Sequence, residues 1–509
     1  MITTTQSPSR GGLRPDRSGA RARGAFRLSA PAASLCLTGF LAAPAVAAPP
    51  PISIPAASDE NQIANSGGLF GFVDGINRSS TLLGDMWGLR TDLAKYGITL
   101  ALQETSESLG NVTGGTKKGF VYDGLTQMVL QVDTNRAFGH YGGTFNMSVL
   151  NIHGNSVSAE NLDTLQTASG IEADRSTRLW ELWYDQKFTD EDRMDVKIGQ
   201  QSIDQEFMVS SNALLFVNTM FGWPMLPSAD MPGGGPAYPL SALGVRLAAR
   251  PVNGTQILAG IYNGSPVRHD NGSDPQLQDY HGTSFPLGEG YLAITEAQFS
   301  FPALGSMVEP GAAPPLGGTY RIGAWYNSEN FADQRLDING VSLANPASNG
   351  LPQQHKGDFS VYAVADQMIW MDGTDPNRTI SLFARAMGTP QHDRNLIDFS
   401  LNAGMVFKSP FRYRTDDSFG LGMGYAHVSN QTAALEVDNI AYGNNPPGPI
   451  QSGETFIEAT YQYQFKPWMQ LQPDLQYVFR PGAGVADPNQ PAQRINNELV
   501  LGLRANITF

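Results

Sequence analysis

Residues 461–479 read YQYQFKPWMQLQPDLQYVF, and their polarity alternates along both arms. Tyr461, Tyr463 and Phe465 share one parity, and Gln462 and Gln464 hold the other. After a break at Lys466 and Pro467, Leu471, Leu475, Tyr477 and Phe479 alternate with Gln470, Gln472, Asp474 and Gln476. Successive side chains of a strand point to opposite faces, so a period of two over both arms is a β-hairpin. One face is aromatic and the other is made of uncharged amides. A soluble barrel would turn the aromatics inward. Aromatics that face lipid and amides that face a wet lumen describe a transmembrane barrel, with Trp468 at the interface where aromatic girdles lie. Pro473 falls on the lipid face and supplies no ladder donor, so a bulge is expected there.

The same period recurs along the chain. Segments near 98–107, 124–134, 143–152, 177–188, 193–204, 242–250, 255–263 and 289–301 alternate, as do 318–327, 359–370, 378–387, 396–407, 417–427, 453–465, 469–479 and 497–509. These are sixteen candidate strands, which defines an all-β transmembrane antiparallel barrel. In two of them Phe399, Leu401, Ala403 and Met405 oppose Asp398, Ser400 and Asn402, and Phe419, Leu421, Met423 and Tyr425 oppose Gly420, Gly422 and Gly424. The connections also alternate. TDED at 189–192, PVNG at 251–254 and KPW at 466–468 are short, whereas 153–176, 205–241, 264–288, 328–358 and 428–452 are long. Short periplasmic turns and long outer loops are the asymmetry of outer-membrane barrels. The last segment, ELVLGLRANITF, puts Leu499, Leu501, Leu503, Ala505, Ile507 and Phe509 on one face. It resembles the C-terminal signal by which barrel assembly machinery recognises such proteins, here through Phe509.

The N-terminal region reads as an export signal. Six arginines from Arg10 to Arg27 precede the run LSAPAASLCLTGFLAAPAVAA, which closes on Ala45-Val46-Ala47, the pattern of a secretory signal peptide over residues 1–47. Residues 48–82, rich in Pro, Ser and Asn, read as a flexible periplasmic lead-in, and 83–509 as the outer-membrane barrel. Removing residues 1–47 takes away six Arg and one Asp, which leaves 27 basic and 46 acidic residues and a formal charge of −19. So acidic a chain is a poor nucleic-acid binder. The one cysteine, Cys36, lies in the signal, so no disulfide is expected after export.

Sixteen strands enclose a lumen too wide for side chains to fill, which makes an aqueous channel. Parity sends Gln103 and Glu107 inward from the first strand, Glu181, Trp183 and Asp185 from the fourth, Arg193, Asp195, Lys197 and Gln201 from the fifth, and Arg246 from the sixth. By the same parity Trp180, Leu182, Tyr184 and Phe188 face lipid. A tryptophan among carboxylates, amides and cations suits a neutral sugar, whose hydroxyls both donate and accept and whose ring face packs on indole. The alternative is that these charges only pair with one another and keep the channel wet.

LWELWYDQKF, VKIGQQSIDQEF, NTMFGWP, GGPAYPLSALGVRLAARP and GIYNGSP resemble conserved stretches of the OprB-type carbohydrate-selective porin family. GDMWGLRTDLAKYGITL is similar to its N-terminal motif. The resemblance runs from about Leu83 to Phe509. It implies a 16-stranded porin of the bacterial outer membrane through which glucose and other mono- and small oligosaccharides diffuse passively past a narrow eyelet. It also implies that the connection 205–241, with Trp223, folds inward, and that Arg90 and Glu107 are eyelet candidates. The family's DWGG reads Asp85-Met86-Trp87-Gly88 here, which bears on the placement of Arg90. The expected partners are these sugars and the outer-membrane lipid and lipopolysaccharide; monomer and homotrimer are both open.

Three rivals remain at this stage. A barrel enzyme lacks support, since neither G-x-S-x-G nor H-E-x-x-H occurs and the seven histidines show no metal-ligand spacing. No cofactor or metal is therefore expected. A general porin, or one for polyols, amino acids or ions, is the second rival, and a structural or adhesive barrel the third.

Overall fold

The computed structural model describes residues 80–188, 193–268, 273–302 and 316–509. The signal peptide, most of the lead-in and the TDED turn lie outside the described residues. The strands are β1 (Ile98–Thr113), β2 (Gly119–Asp133), β3 (Gly143–Gly154), β4 (Ser176–Lys187), β5 (Met194–Gln201) and β6 (Ala242–Ala249). They continue as β7 (Thr255–Asn263), β8 (Tyr291–Phe301), β9 (Gly318–Asp337), β10 (Pro352–Met371), β11 (Thr379–Gly388) and β12 (Ile397–Lys408). The last are β13 (Ser418–Val428), β14 (Gly453–Lys466), β15 (Met469–Phe479), β16 (Ala486–Asp487), β17 (Gln490–Arg494) and β18 (Glu498–Thr508). Sixteen of them form one closed antiparallel barrel, while β16 and β17 make a separate two-stranded ribbon in the last outer loop. Closure leaves no unpaired edge, the condition for crossing lipid with strands.

The opening hairpin is β14 and β15, and its parity holds. Phe465, Leu475 and Phe479 are exposed on the outer wall, while Gln472 and Gln476 are buried on the lumen side. Aromatic pairs gather at two levels. Phe301–Tyr320, Trp370–Phe407 and Tyr463–Phe465 lie at the periplasmic strand ends, and Tyr291–Tyr326, Phe399–Tyr425 and Tyr477–Phe479 nearer the outer ends. These are the girdles expected at the two interfaces.

Four details differ from the sequence reading. Pro473 makes no bulge: Thr460 pairs with Asp474 and Tyr463 with Leu471 in one unbroken register, and the shift lies instead between Gln464 and Lys466. Proline removes one donor without changing the strand's length, so the ladder skips and resumes. The fourth strand carries an unforeseen bulge. Ser148 pairs with Glu181 and Val149 with Leu179, leaving Trp180 as the extra residue. Trp180 therefore turns inward, 2% exposed, with its ring edge-on to Tyr238 of the connection 202–241, and does not face lipid. Thirdly, much of the span 328–358 is strand rather than loop. β9 and β10 run on to pair Asp337 with Pro352, and Asp337 ties the hairpin tip by accepting from the amides of Asn339, Val341 and Asn349 and the Ser348 hydroxyl. Finally, β5 ends at Gln201, so residues 202–204 belong to the connection and lengthen it.

The barrel closes where β1 meets β18, from Gln103↔Thr508 to Thr113↔Leu499. Below it the helix Leu89–Lys95 stands at the periplasmic end. The Phe509 amide donates to the Leu102 carbonyl at 2.8 Å, and the Leu82 amide to the Thr508 carbonyl at 2.7 Å. Arg90 locks this junction, donating to the carbonyls of Gly84 (2.7 Å) and Phe509 and to the Thr81 hydroxyl (2.9 Å). Leu421→Arg, on the outer wall, is expected to lose ~2–4 kcal/mol of barrel stability near the midplane. Gln462→Arg, on the wet side, is tolerated. Folded, heat-modifiable barrel in a gel assay measures both; equal losses would refute the register.

Candidate functional site

The connection 202–241 leaves the wall between β5 and β6 and crosses the lumen to the opposite side. The Met208 amide donates to Glu296 on β8 (2.8 Å), and the Ser210 hydroxyl and the Ser211 and Asn212 amides donate to Asp366 on β10. The Val217 and Asn218 amides donate to Glu458 on β14 at 2.7 and 3.0 Å. An irregular segment has no ladder of its own, and buried amides left unpaired are costly. Wall carboxylates supply the acceptors, and each such bond contributes about 0.5–1.5 kcal/mol. Arg385 of β11, 1% exposed, does the converse. Its guanidinium donates to the carbonyls of Met208 and Gly222 at 2.9 Å, to that of Met220, and to Asn402 Oδ1. Arg178 on β4 reaches the carbonyls of Pro239 (3.2 Å) and Gln276 (2.8 Å), which joins this connection to the loop after β7.

Within the connection, Asp204 accepts from the Ser202 hydroxyl and the Tyr238 amide, and burial nonetheless pushes its carboxyl above the usual range. Asp230 accepts from the amides of Leu396 and Ile397; burial, with the charge of Asp358 acting the same way, holds it well above that range.

Shape matches the polar clamps. Phe216 and Phe221 stack at 4.3 Å and lie against Phe383 and Phe456. The wall beneath them is the lumen face of β13, which is bare. A methyl group on Gly420 would stand 2.8 Å from Phe216, and one on Gly422 2.6 Å from Phe221. Glycine is required at these positions by close approach.

Five of the predicted pore residues come together on the β4–β6 wall. Glu181 accepts from the Ser202 amide (3.1 Å). Trp183 is half-buried, with the Lys197 ammonium 4.4 Å above its ring, a cation–π contact that occupies one face. Asp185 stands 3.6 Å from Arg246, which also pairs with Asp195 and with Glu206 (2.6 Å). Gln201 donates to the Gly244 carbonyl at 3.0 Å. Glu107 lies elsewhere on the wall, paired with Arg504 across the seam. Two residues fall away from the pore lining. Arg90 serves the terminal junction under the barrel, through Thr81, Gly84 and Phe509. Trp223 is 1% exposed and donates Nε1–H to the Gly234 carbonyl (3.0 Å), so it packs the connection's own interior. Glu296, Asp366, Arg385 and Glu458 were not singled out from the sequence. The available signal was a charge at an inward position in mid-strand, opposite a long connection.

Below the crossing segment the lumen opens as a cavity of about 830 Å³, with Ser211, Asn212, Leu214 and Leu215 as its roof. Gln103, Gln462, Gln464, Gln470 and Gln472 line its sides, with Lys408, Lys466 and Arg504 among them. The opening hairpin's glutamines thus form part of a vestibule.

The family of carbohydrate-selective porins of the OprB type matches residues 117–509. The chain belongs to the OprB family. Porin B of Pseudomonas aeruginosa is 25% identical over 451 residues, covering 85% of this chain and 92% of that protein. The high-pH structure of Pseudomonas putida OprB superposes with a TM-score of 0.72 at 23% identity, covering 85% of this chain and 99% of that one. The low-pH structure of the same protein gives 0.50 at 18% identity, with the same coverage. OprB-family membership and the barrel place the protein in the bacterial outer membrane, and family and fold are those of channels rather than of enzymes.

Two substitutions test the crossing segment. Glu458→Gln weakens the acceptor for two amides, and Gly422→Leu removes the space for Phe221. Each is expected to loosen the segment and raise single-channel conductance in planar bilayers; unchanged conductance in both would mean that this segment does not set the pore.

Proposed function

We propose that the protein passes neutral mono- and small oligosaccharides, glucose among them, by passive diffusion through the lumen. The observation that carries this reading is the amide-lined vestibule beneath the crossing segment. Glutamine side chains donate and accept without net charge, which matches sugar hydroxyls. Weak contacts suit a channel, since cargo must leave as readily as it enters. On the β4–β6 wall, Glu181, Asp185, Gln201 and Arg246 are the polar groups of the route. Trp183, steadied by Lys197, is its aromatic one. Sugar stacking there is worth roughly 1.4 kcal/mol, one decade in affinity.

A second reading, diffusion of small anionic solutes, is favoured by Lys408 and Lys466 in the vestibule, where Arg504 is already paired with Glu107. Liposome swelling with a sugar series, size-matched amino acids and small anions separates the two. Faster entry of sugars than of amino acids of equal size supports the proposal, and equal rates reduce the protein to a general porin. In the same protein Trp183→Ala is expected to weaken glucose block of ion current by about tenfold. Undiminished block would move the sugar contact to the vestibule glutamines.

A further inference from the structure

One carboxylate of the crossing segment reaches back to the wall that carries Trp183. Glu206 follows the first turn of the connection, Ile203–Gln205. It pairs with two wall cations at once, Lys197 of β5 and Arg246 of β6, the latter at 2.6 Å from Nε and 3.3 Å from Nη2. Lys197 and Arg246 stand directly opposite each other in the β5–β6 register. Like charges in that relation repel, and Glu206 bridges them from above the sheet. The other acids nearby are differently engaged: Asp195 takes Arg246 and Arg250, and Glu181 accepts the Ser202 amide at 3.1 Å.

This bridge decides where the Lys197 ammonium goes. Trp183 lies opposite Gly199 on β5, and no other residue fits there: φ is +135°, and a Cβ would stand 2.3 Å from the Leu182 carbonyl oxygen. The side chain that reaches the indole is therefore the diagonal neighbour, Lys197, a separation that long side chains span. A lysine has many rotamers to lose, and Asp185, its direct partner across β4 and β5, offers a competing carboxylate. The ammonium goes instead to Glu206, and on that path it lies 4.4 Å from the centroid of the Trp183 ring. Asp185 Oδ1 is left without a hydrogen-bond donor, with Arg246 as its ion-pair partner at 3.6 Å. A free acceptor thus stands two residues along β4 from an indole whose one face is covered.

We propose that Glu206 is a positioning residue for the sugar contact: it draws Lys197 across one face of Trp183, which reserves the opposite face for a pyranose ring and leaves Asp185 Oδ1 to accept from a hydroxyl at that ring's edge. The inference rests on the reading of Trp183 as the aromatic contact of a sugar. The chemistry recognised is a neutral ring with one C–H face and a hydroxyl at its rim, since an anionic solute meets Glu181 and Asp185 there. The crossing segment then governs selectivity through a single ion pair, in addition to occupying the lumen.

The test uses the full barrel in planar bilayers, with glucose block of ion current and the potassium-to-chloride permeability ratio read in the same recordings. Glu206→Gln and Lys197→Met are each expected to weaken glucose block by about threefold, the scale of one cation–π contact. Lys197→Arg, which still pairs with Glu206 and stacks on indole, is expected to retain most of the block. In a Trp183→Ala background, Lys197→Met is expected to add no further loss, because it acts through the indole. A shifted permeability ratio with undiminished glucose block in both single variants means that the pair only sets the lumen's field, and it overturns the proposal. So does a full further loss in the Trp183→Ala background. If Trp183→Ala weakens the block while Glu206→Gln and Lys197→Met do not, this inference alone falls; if Trp183→Ala leaves the block undiminished, the sugar reading of Trp183 falls and takes the inference with it. Should Lys197→Met fail to insert, Glu206→Gln, which lies off the strands, decides by the same readout.

Discussion

A polypeptide that crosses a wide lumen without being a strand must find partners for its amides and carbonyls far from its own neighbours in sequence. Here the wall provides them. Glu296, Asp366 and Glu458 accept main-chain amides, and Arg385 gives its protons to main-chain carbonyls. These side chains stand on strands widely spaced around the ring, so the segment is held on several sides. The barrel thus does two jobs with one alternation: its outward parity meets lipid, and its inward parity serves as the hydrogen-bonding partner of a second, irregular layer.

That division explains what kind of pore results. Charges spent on holding the segment, such as Glu458 and Arg385, are shielded by it and contribute little to the field that a solute meets. The charges that remain near open space sit in opposed sets: Lys197 and Arg246 with Asp185, Asp195 and Glu206 on one wall, and Glu107 with Arg504 on another. Opposed charges on these walls leave little net field there, while the vestibule below carries Lys408, Lys466 and Asp416 among its amides.

The strands were legible because a barrel in lipid obeys one rule per residue, and YQYQFKPWMQLQPDLQYVF displays it on both arms. The features that stayed hidden depend on pairs rather than on periods. The bulge at Trp180 is set by the register of β4 against β3, and no composition signal marks it. Trp223 is a pore candidate because the family resemblance implies that its connection folds inward, yet its partner, the Gly234 carbonyl, is local and buries it. The clamp between Val217 and Glu458 joins residues 241 apart, and a single sequence carries no trace of such a pairing. The glycines of β13 were placed on the correct face, but what they make room for lies on another element.

That bare strip on β13 separates two properties that are usually entangled in a membrane channel. The ladder that lets the barrel assemble uses backbone atoms, which all residues but proline share. How closely the crossing segment seats against the wall depends on how deeply two phenylalanine rings sit over Gly420 and Gly422. One methyl group on that strip would shift the rings while leaving the strand's hydrogen bonds and its lipid face unchanged. The seating of the crossing segment can therefore change by single small steps without endangering insertion.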